Sequence, residues 1–242
     1  MHCSHSLRGM VVSLWLFSAG ALAGISLDST RVIFPASDAR QGQSIGVTSS
    51  STSTTPYLVK AQVIGNIEGT QTQTPFSVTP SLFRLEPSTT NQVRILKTGN
   101  DALPKDRESL FYFRVMALPA GKVSQGAVKQ AVDGSLMIST GNIIKLFYRP
   151  AGLPKRPPLS ATSLTFSHRG TVLRVTNPSP YFLTLSSLTV GGKRIPMSLR
   201  QKNTMIPPFG TIEYPNVNTS GAVTWQAIND YGGMEKFHGT VQ

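Results

Sequence analysis

SLFYFRVMAL, residues 109–118, is the stretch whose reading decides the fold class. Phe111, Phe113, Val115 and Ala117 recur at every second position, so in an extended chain all of them point to one side, which is the side expected to form a core. Read at 3.6 residues per turn, the same four would scatter around a cylinder and leave no apolar stripe. Outward from this run, short β-branched and aromatic stretches recur between turn clusters, and no window sustains a helical period. The predicted strands before it are SLDSTRVIF (26–34), QSIGVTS (43–49), PYLVKAQVI (56–64), FSVTP (76–80) and NQVRILK (91–97), and SLMISTGNIIKLFY (135–148) follows. The class is all-β, and strands at this spacing fit an immunoglobulin-like sandwich.

RPAGLPKRPP, residues 149–158, interrupts the pattern. Its prolines cannot donate to a β-ladder and stiffen the chain into an extended connector, which places a domain boundary there. Beyond it come SLTF (163–166), TVLRVTN (171–177), YFLTLSSLTV (181–190), KRIPM (193–197), GTIEYP (210–215) and AVTWQAI (222–228), with Gly191-Gly192 as a hairpin turn. These strands predict a second, smaller sandwich. The expected domains are therefore 24–150 and 151–242. The stretches 48–56 and 120–134 read as connections, and the second is long enough to suggest a functional loop.

Residues 1–23 read as a secretory leader. Arg8 is the only charged side chain before Asp28, and the apolar run from Met10 ends in Ala21-Leu22-Ala23, a small-x-small cleavage pattern that predicts cutting after Ala23. The run is shorter than the ~20 residues a spanning helix needs, so no membrane insertion is expected, an uncleaved anchor being the alternative. The only cysteine, Cys3, lies in this leader. The mature chain then has no thiol, and burial alone must hold it together. The formal net charge of +12 suits an acidic partner or an anionic envelope surface. Nucleic acid is not indicated, because the cations are scattered singly among strands rather than gathered in runs.

Few residues offer chemistry. Past the leader only His168 and His238 remain, and neither has a Cys, His or carboxylate at metal-ligand spacing. There is no Gly-rich phosphate loop, no Gly-x-Ser-x-Gly elbow and no cysteine nucleophile. No cofactor, no metal site and no enzymatic activity are expected.

Binding is what the residues favour, and GNIIKLFYRP (141–150) raises the question directly, since Lys145 stands in the middle of an apolar strand. An unpaired ammonium is costly to bury, so Lys145 either snorkels to water or waits for an anion. Arg31 occupies a similar position among Val32, Ile33 and Phe34. Should the two strands meet at the seam of the sandwich, both cations could converge on one carboxylate through charge-assisted hydrogen bonds.

Six stretches taken together resemble the periplasmic chaperones of the chaperone/usher pathway, the PapD-like family: STRVIFP (29–35), PFSVTPSLFRLEP (75–87), LPKDRESLFYF (103–113), IIKLFYRP (143–150), NPSPYFLTL (177–185) and INDYGG (228–233). They follow the family's order through nearly the whole mature chain. The resemblance implies two immunoglobulin-like domains in an L or boomerang arrangement, a periplasmic setting, and a chaperone that caps fimbrial or pilus subunits by donor-strand complementation and delivers them to an outer-membrane usher. Arg31 and Lys145 match the basic pair that grips the subunit's C-terminal carboxylate. Leu136, Ile138 and Thr140 match the side chains of the lent strand, with Thr140 departing from the apolar residue usual there. Leu136 and Ile138 packing within their own domain is the blander alternative.

Glu108, Arg149 and Asp230 match the charge network between the domains, and Gly232-Gly233 suits a tight turn beside it. Strict alternation sets the even-numbered lent residues on the face opposite Lys145, so a bulge at Gly141-Asn142 is expected to shift the phase. The long connection before the last strand of the first domain resembles the long-loop subgroup, although the cysteine pair common there is missing. Self-association of free chaperone is a further expectation. Two other classes remain: a secreted fibre subunit or adhesin, disfavoured by the short segment at 24–28, and a carbohydrate-binding sandwich, disfavoured because Trp15 is in the leader and Trp225 in a strand pattern.

Overall fold

A computed structural model of the protein describes residues 24–99, 103–120, 139–154, 160–217 and 221–242. The leader expected at 1–23, the stretch 121–138 with Leu136 and Ile138, and connector residues 155–159 lie outside the described residues.

The first half holds β1 (Ile25–Leu27), β2 (Arg31–Pro35), β3 (Gln43–Ser49), β4 (Tyr57–Ile64), β5 (Phe76–Thr79), β6 (Leu82–Leu85), β7 (Thr90–Lys97), β8 (Ser109–Pro119) and β9 (Thr140–Arg149). They form a sheet of order β1-β3-β7-β5 and a five-stranded sheet of order β2-β9-β8-β4-β6. One apolar core lies between the two, with Ile45, Val47, Val93 and Ile95 from the first facing Val32, Val59, Val115 and Leu146 from the second. Phe76 links them, edge-on to Phe34 at 5.2 Å and to Phe111 at 5.1 Å between ring centroids. Phe113, Val115 and Ala117 are fully buried, and Phe111 packs against the same core, as their alternation predicts.

The second half holds β10 (Thr165–Arg169), β11 (Val172–Thr176), β12 (Leu183–Val190), β13 (Lys193–Arg194), β14 (Met205–Ile206), β15 (Thr211–Tyr214), β16 (Ala222–Ile228) and β17 (Met234–Thr240). Sheets of order β10-β11-β15 and β13-β12-β16-β17, with β14 added to β12, enclose a second core around Trp225, Leu188, Val175 and Tyr214. Gly191 and Gly192 both have positive φ, 53° and 78°, the conformation a two-residue hairpin between β12 and β13 requires.

Two breaks in the pattern place the functional residues. SLDSTRVIF forms two strands rather than one: β1 pairs with β3, and after Asp28, whose carboxylate accepts from the Gly46 amide at 2.8 Å, the chain crosses to pair as β2 with β9. In β12 the register against β16 slips at Ser186. That bulge moves the buried apolar set from Leu183 and Leu185 to Leu188 and Val190, which is why LTLSSLTV carries two serines at its centre. Among the described residues no helix is long and apolar enough to cross a membrane.

Candidate functional site between the two cores

The site begins with β9. Its pairing with β8 runs without a break from Ser109↔Tyr148 to Ala117↔Thr140. The bulge expected at Gly141-Asn142 is therefore absent. Alternation is preserved, so Thr140, Asn142, Ile144, Leu146 and Tyr148 share the face turned to the first core, while Gly141, Ile143, Lys145, Phe147 and Arg149 share the opposite one. No phase slip is needed, because the even-numbered face continues the line of the chain's own core and the odd-numbered face meets the second half. Asn142 is tied across the sandwich by its side-chain amide, which donates to the Ile25 carbonyl at 2.8 Å.

Burial of the odd-numbered face deepens along the strand. Ile143 is 43% exposed, whereas Phe147 is 3% exposed and packs on Phe182 of the second half at 5.7 Å between centroids. Arg149 lies at the bottom. Its Nη2 is 2.7 Å from Oε1 of Glu108, its Nη1 and Nη2 donate to the two oxygens of Asp230 at 2.9 and 3.1 Å, and its guanidinium stacks 5.0 Å over the Tyr181 ring. The remaining Glu108 oxygen accepts from the Phe182 amide at 2.9 Å. Three sequence-predicted residues, Glu108, Arg149 and Asp230, are thus brought together across the seam. Burial alone would lower the Arg149 pKa, but its bonds to Asp230 and Glu108 outweigh that and hold it above the ordinary value. The Glu108 carboxyl is pushed up by burial, with Arg149 and the Phe182 amide opposing.

Arg31 and Lys145 meet higher up. They are direct neighbours in the parallel pairing of β2 with β9, so their side chains leave the sheet on the same side. The structure brings these two sequence-predicted residues together, and among the described residues no carboxylate forms an ion pair with either. Arg31 donates Nη1 to the Ile228 carbonyl at 3.3 Å, and its buried Nε has no hydrogen-bond partner. Lys145 places Nζ 3.1 Å from the Thr184 hydroxyl. Burial lowers the Lys145 pKa from 10.5 to about 8, and repulsion from Arg31 adds to the shift. Burial also lowers that of Arg31, opposed by the more distant Asp230 and Glu108. Both cations line an open cleft of about 550 Å³ whose described lining includes Thr184, Ile228 and Leu199 and no acidic residue. Two desolvated cations with an unsatisfied donor are arranged for an incoming anion.

Beside this cleft, β9 has a free edge. Its pairing with β2 starts at Arg31↔Lys145 and ends at Pro35↔Arg149, so from Thr140 to Ile144 no strand among the described residues occupies that side. Thr140 sits at the start of this edge, half-buried. Leu136 and Ile138 precede it, outside the described residues.

Sequence reasoning missed Thr184, which reads as an alternating strand residue until the bulge at Ser186 shows that it faces away from its own core. The tight turn expected at Gly232-Gly233 is present, with the Asn229 amide donating to the Gly233 carbonyl at 2.8 Å, but its contact with the start of β2 was not foreseen. Gly232 has φ 86°, and a Cβ there would lie 2.6 Å from Oγ1 of Thr30, so the Asn229–Gly233 turn comes to rest directly on the residue before Arg31. Among the described residues no group of three His, Cys, Asp or Glu is placed to hold a metal ion.

Comparison with known proteins agrees with this architecture. The family model of the PapD N-terminal domain, described as pili and flagellar-assembly chaperone, matches residues 24–154, and that of the C-terminal domain of the pili assembly chaperone PapD matches residues 160–238. The chain is 34% identical over 231 residues to the chaperone protein FimC of Escherichia coli K12, covering 94% of this chain and 89% of that one. It is 35% identical over 224 residues to the Escherichia coli chaperone protein FocC, covering 91% of each. Among solved structures, a chain of the Salmonella enterica SafA pilin–SafB chaperone complex superposes with a TM-score of 0.74 at 31% identity, covering 90% of this chain and 97% of that one. The Escherichia coli chaperone DraB gives the same TM-score and identity over 91% and 97%. Two family models that together span both cores, and relatives aligned over nine-tenths of the chain, show that this protein belongs to the PapD-like family of pilus-assembly chaperones.

Proposed function

We propose that this chaperone holds a fimbrial subunit by completing its sheet with β9 and by fixing the subunit's C-terminal carboxylate between Arg31 and Lys145. The observation that carries the reading is the edge of β9, which no strand among the described residues occupies from Thr140 to Ile144 and which β2 closes from Lys145 onward. A guest strand laid on that edge with its C-terminus at the basic pair must run in the same direction as β9. It would lie in line with β2 and stop where β2 begins. Its terminal carboxylate then replaces water at two desolvated cations, which is the anion that Arg31 Nε lacks. Backbone pairing supplies affinity, and the basic pair sets the register.

In this reading Leu136, Ile138 and Thr140 are the side chains lent to the guest's groove, Thr140 standing on the face that β9 turns to its own core. Glu108, Arg149 and Asp230 fix the angle between a strand-donating domain at 24–150 and a second domain at 151–242. The leader is removed after about Ala23 and the protein works in the periplasm as a nonenzymatic assembly factor, passing subunits to an outer-membrane usher and covering its own free edge by self-association when no subunit is present. Support comes from the relatives, which are named as chaperones, and from a structural neighbour solved with its pilin. The alternative of a fibre subunit is not favoured, since the family match extends over both domains.

The test is copurification. Arg31→Ala and Lys145→Ala, expressed with a fimbrial subunit that the unaltered chaperone captures, are expected to fold with unchanged circular dichroism and to recover less than a tenth of the subunit, because truncating one member of a buried charged contact costs about 2–5 kcal/mol. Normal recovery with both variants would refute the carboxylate site.

A further inference from the structure

Resting on the reading just given, we propose that Lys202 and Phe209 are positioning residues of the guest site. They are two arms of one segment of the second domain, braced against the first domain, and they fix how far Thr184 and Ile228 stand from Lys145 and Arg31. The backbone points to them. Four non-glycine residues among those described have positive φ: Ser88, Lys202, Phe209 and Asn216. Asparagine enters this region readily and serine is small, but a lysine at 54° and a phenylalanine at 55° stand where glycine would be less strained. Both of these long side chains reach across the seam. Lys202 ion-pairs at 3.0 Å with Glu68, in the connection after β4, and Phe209 lies under the guanidinium of Arg107, just before β8, at 5.0 Å from its ring centroid. Asp106 steadies that guanidinium through two hydrogen bonds, at 2.8 and 3.1 Å.

The segment between the arms is pinned at both ends and carries the register of the site. The Lys202 amide donates to the Leu199 carbonyl at 3.1 Å. Its neighbour Asn203 accepts from the Ser198 amide at 2.9 Å through Oδ1 and from the buried Tyr214 hydroxyl at 2.7 Å through its carbonyl. At the other end the Phe209 amide donates to the Ser179 carbonyl at 3.1 Å. Buried Asn177 clamps the same turn, its backbone amide on the Gly210 carbonyl at 2.8 Å and its side-chain amide on the Pro207 carbonyl at 3.0 Å. Between the arms, β14 pairs Met205 with Thr184, the partner of Lys145, and Thr184 pairs in turn with Ile228, whose carbonyl accepts from Arg31. One pair of sheet neighbours in the second domain thus meets the pair Arg31 and Lys145 in the first. An exposed ion pair and a single exposed cation–aromatic contact add little to stability. What they add is a fixed spacing. A strained residue persists where the surrounding structure holds it for a use, and here the use is to set the distance between the two pairs before a guest arrives, so that binding energy is not spent on ordering the domains.

The experiment uses residues 24–242, which include no cysteine, with spin labels at Ser44→Cys and Lys193→Cys, one exposed position in each domain. Double electron–electron resonance then reads the distance between the domains with no guest present. Phe209→Gly and Lys202→Gly each remove an arm and relieve the positive φ, so each should melt within about 3 °C of wild type. Both should broaden the distance distribution, and the double variant should broaden it further. Capture of a fimbrial subunit that the unaltered chaperone binds should fall roughly fivefold in the double variant, the low end of coupling between sites. Lys202→Arg and Phe209→Tyr should match wild type in both measurements. Lys202→Glu should broaden the distribution and regain the wild-type one when Glu68→Lys is added, which a role confined to the local turn would not produce. An unchanged distribution in the double glycine variant refutes the brace, and a broadened one with undiminished capture refutes the positioning role. Should Arg31→Ala capture as well as wild type, the carboxylate site itself is refuted and the positioning role falls with it, whereas the distances measured without guest do not depend on that reading.

Discussion

Replacing Lys145 with methionine should make the free chaperone more stable while it destroys subunit capture. The charged form of Lys145 is disfavoured where it stands, since burial, with Arg31 adding repulsion, brings its pKa from 10.5 to about 8. Such a fall corresponds to roughly 3 kcal/mol against the ammonium at neutral pH. The side chain is half-buried at a cleft rim and keeps a bond to the Thr184 hydroxyl, so water and that partner reduce the cost to about 1–2 kcal/mol. Methionine keeps the stem, fills the same volume and removes the charge. The expected gain is therefore about 1–2 kcal/mol, or a rise of roughly 3–8 °C in melting temperature, with capture reduced at least thirtyfold. Urea unfolding followed by circular dichroism gives the first quantity and subunit copurification the second. A Lys145→Met variant less stable than wild type would refute the argument, because it would mean that the ammonium is already satisfied and is not held in reserve for a ligand.

Three further outcomes follow from the same geometry. Guest binding should weaken as pH rises through about 8, by up to about tenfold per pH unit, because the free lysine must first be reprotonated; over the same window, from about 8 to 10.5, the unfolded chain holds the proton that the folded one has lost, so this residue makes the free protein more stable with rising pH, and a titration in which binding and stability move together would contradict the assignment. Arg149→Ala leaves Glu108 buried with only the Phe182 amide for company and should cost about 3 kcal/mol in calorimetric unfolding, part of it restored by adding Glu108→Gln; a loss below about 1 kcal/mol would show the network to be dispensable. Gly232→Val places a β-branched side chain at φ 86° against Thr30 and should lower stability by about 1–3 kcal/mol; a neutral result in thermal melts would mean that this turn does not rest on the first domain.

Much of the fold was legible because sheets buried on one face announce their period. QSIGVTS and AVTWQAI became β3 and β16 with the limits their patterns predict, and SLFYFRVMAL buries the alternate residues it should. What escaped notice has a common cause. The strands LFRL (82–85) and MEKFHGT (234–240) lie at sheet edges and bury few of their side chains, so charge and glycine dilute the alternation. SLDSTRVIF reads as one strand since both halves are extended; only the partner sheets differ, and partners are tertiary information. The bulge expected near Gly141 is absent for a related reason. It was needed only on the premise that the lent face and Lys145 point the same way, whereas β9 uses its two faces for two different neighbours. The basic pair itself was visible as charge in apolar strands, yet the role of Thr184 depends on a bulge at Ser186 that no local propensity specifies.

The central claim is that a guest strand completes the free side of β9 and ends at the basic pair. A crystal structure of this chaperone with its own subunit tests it most directly. The account predicts a subunit strand running parallel to β9 along Thr140–Ile144, in line with β2, with its terminal carboxylate within hydrogen-bonding reach of both Arg31 and Lys145. A complex in which that edge of β9 stays unpaired, or in which the subunit's terminus lies away from those two side chains, would contradict it.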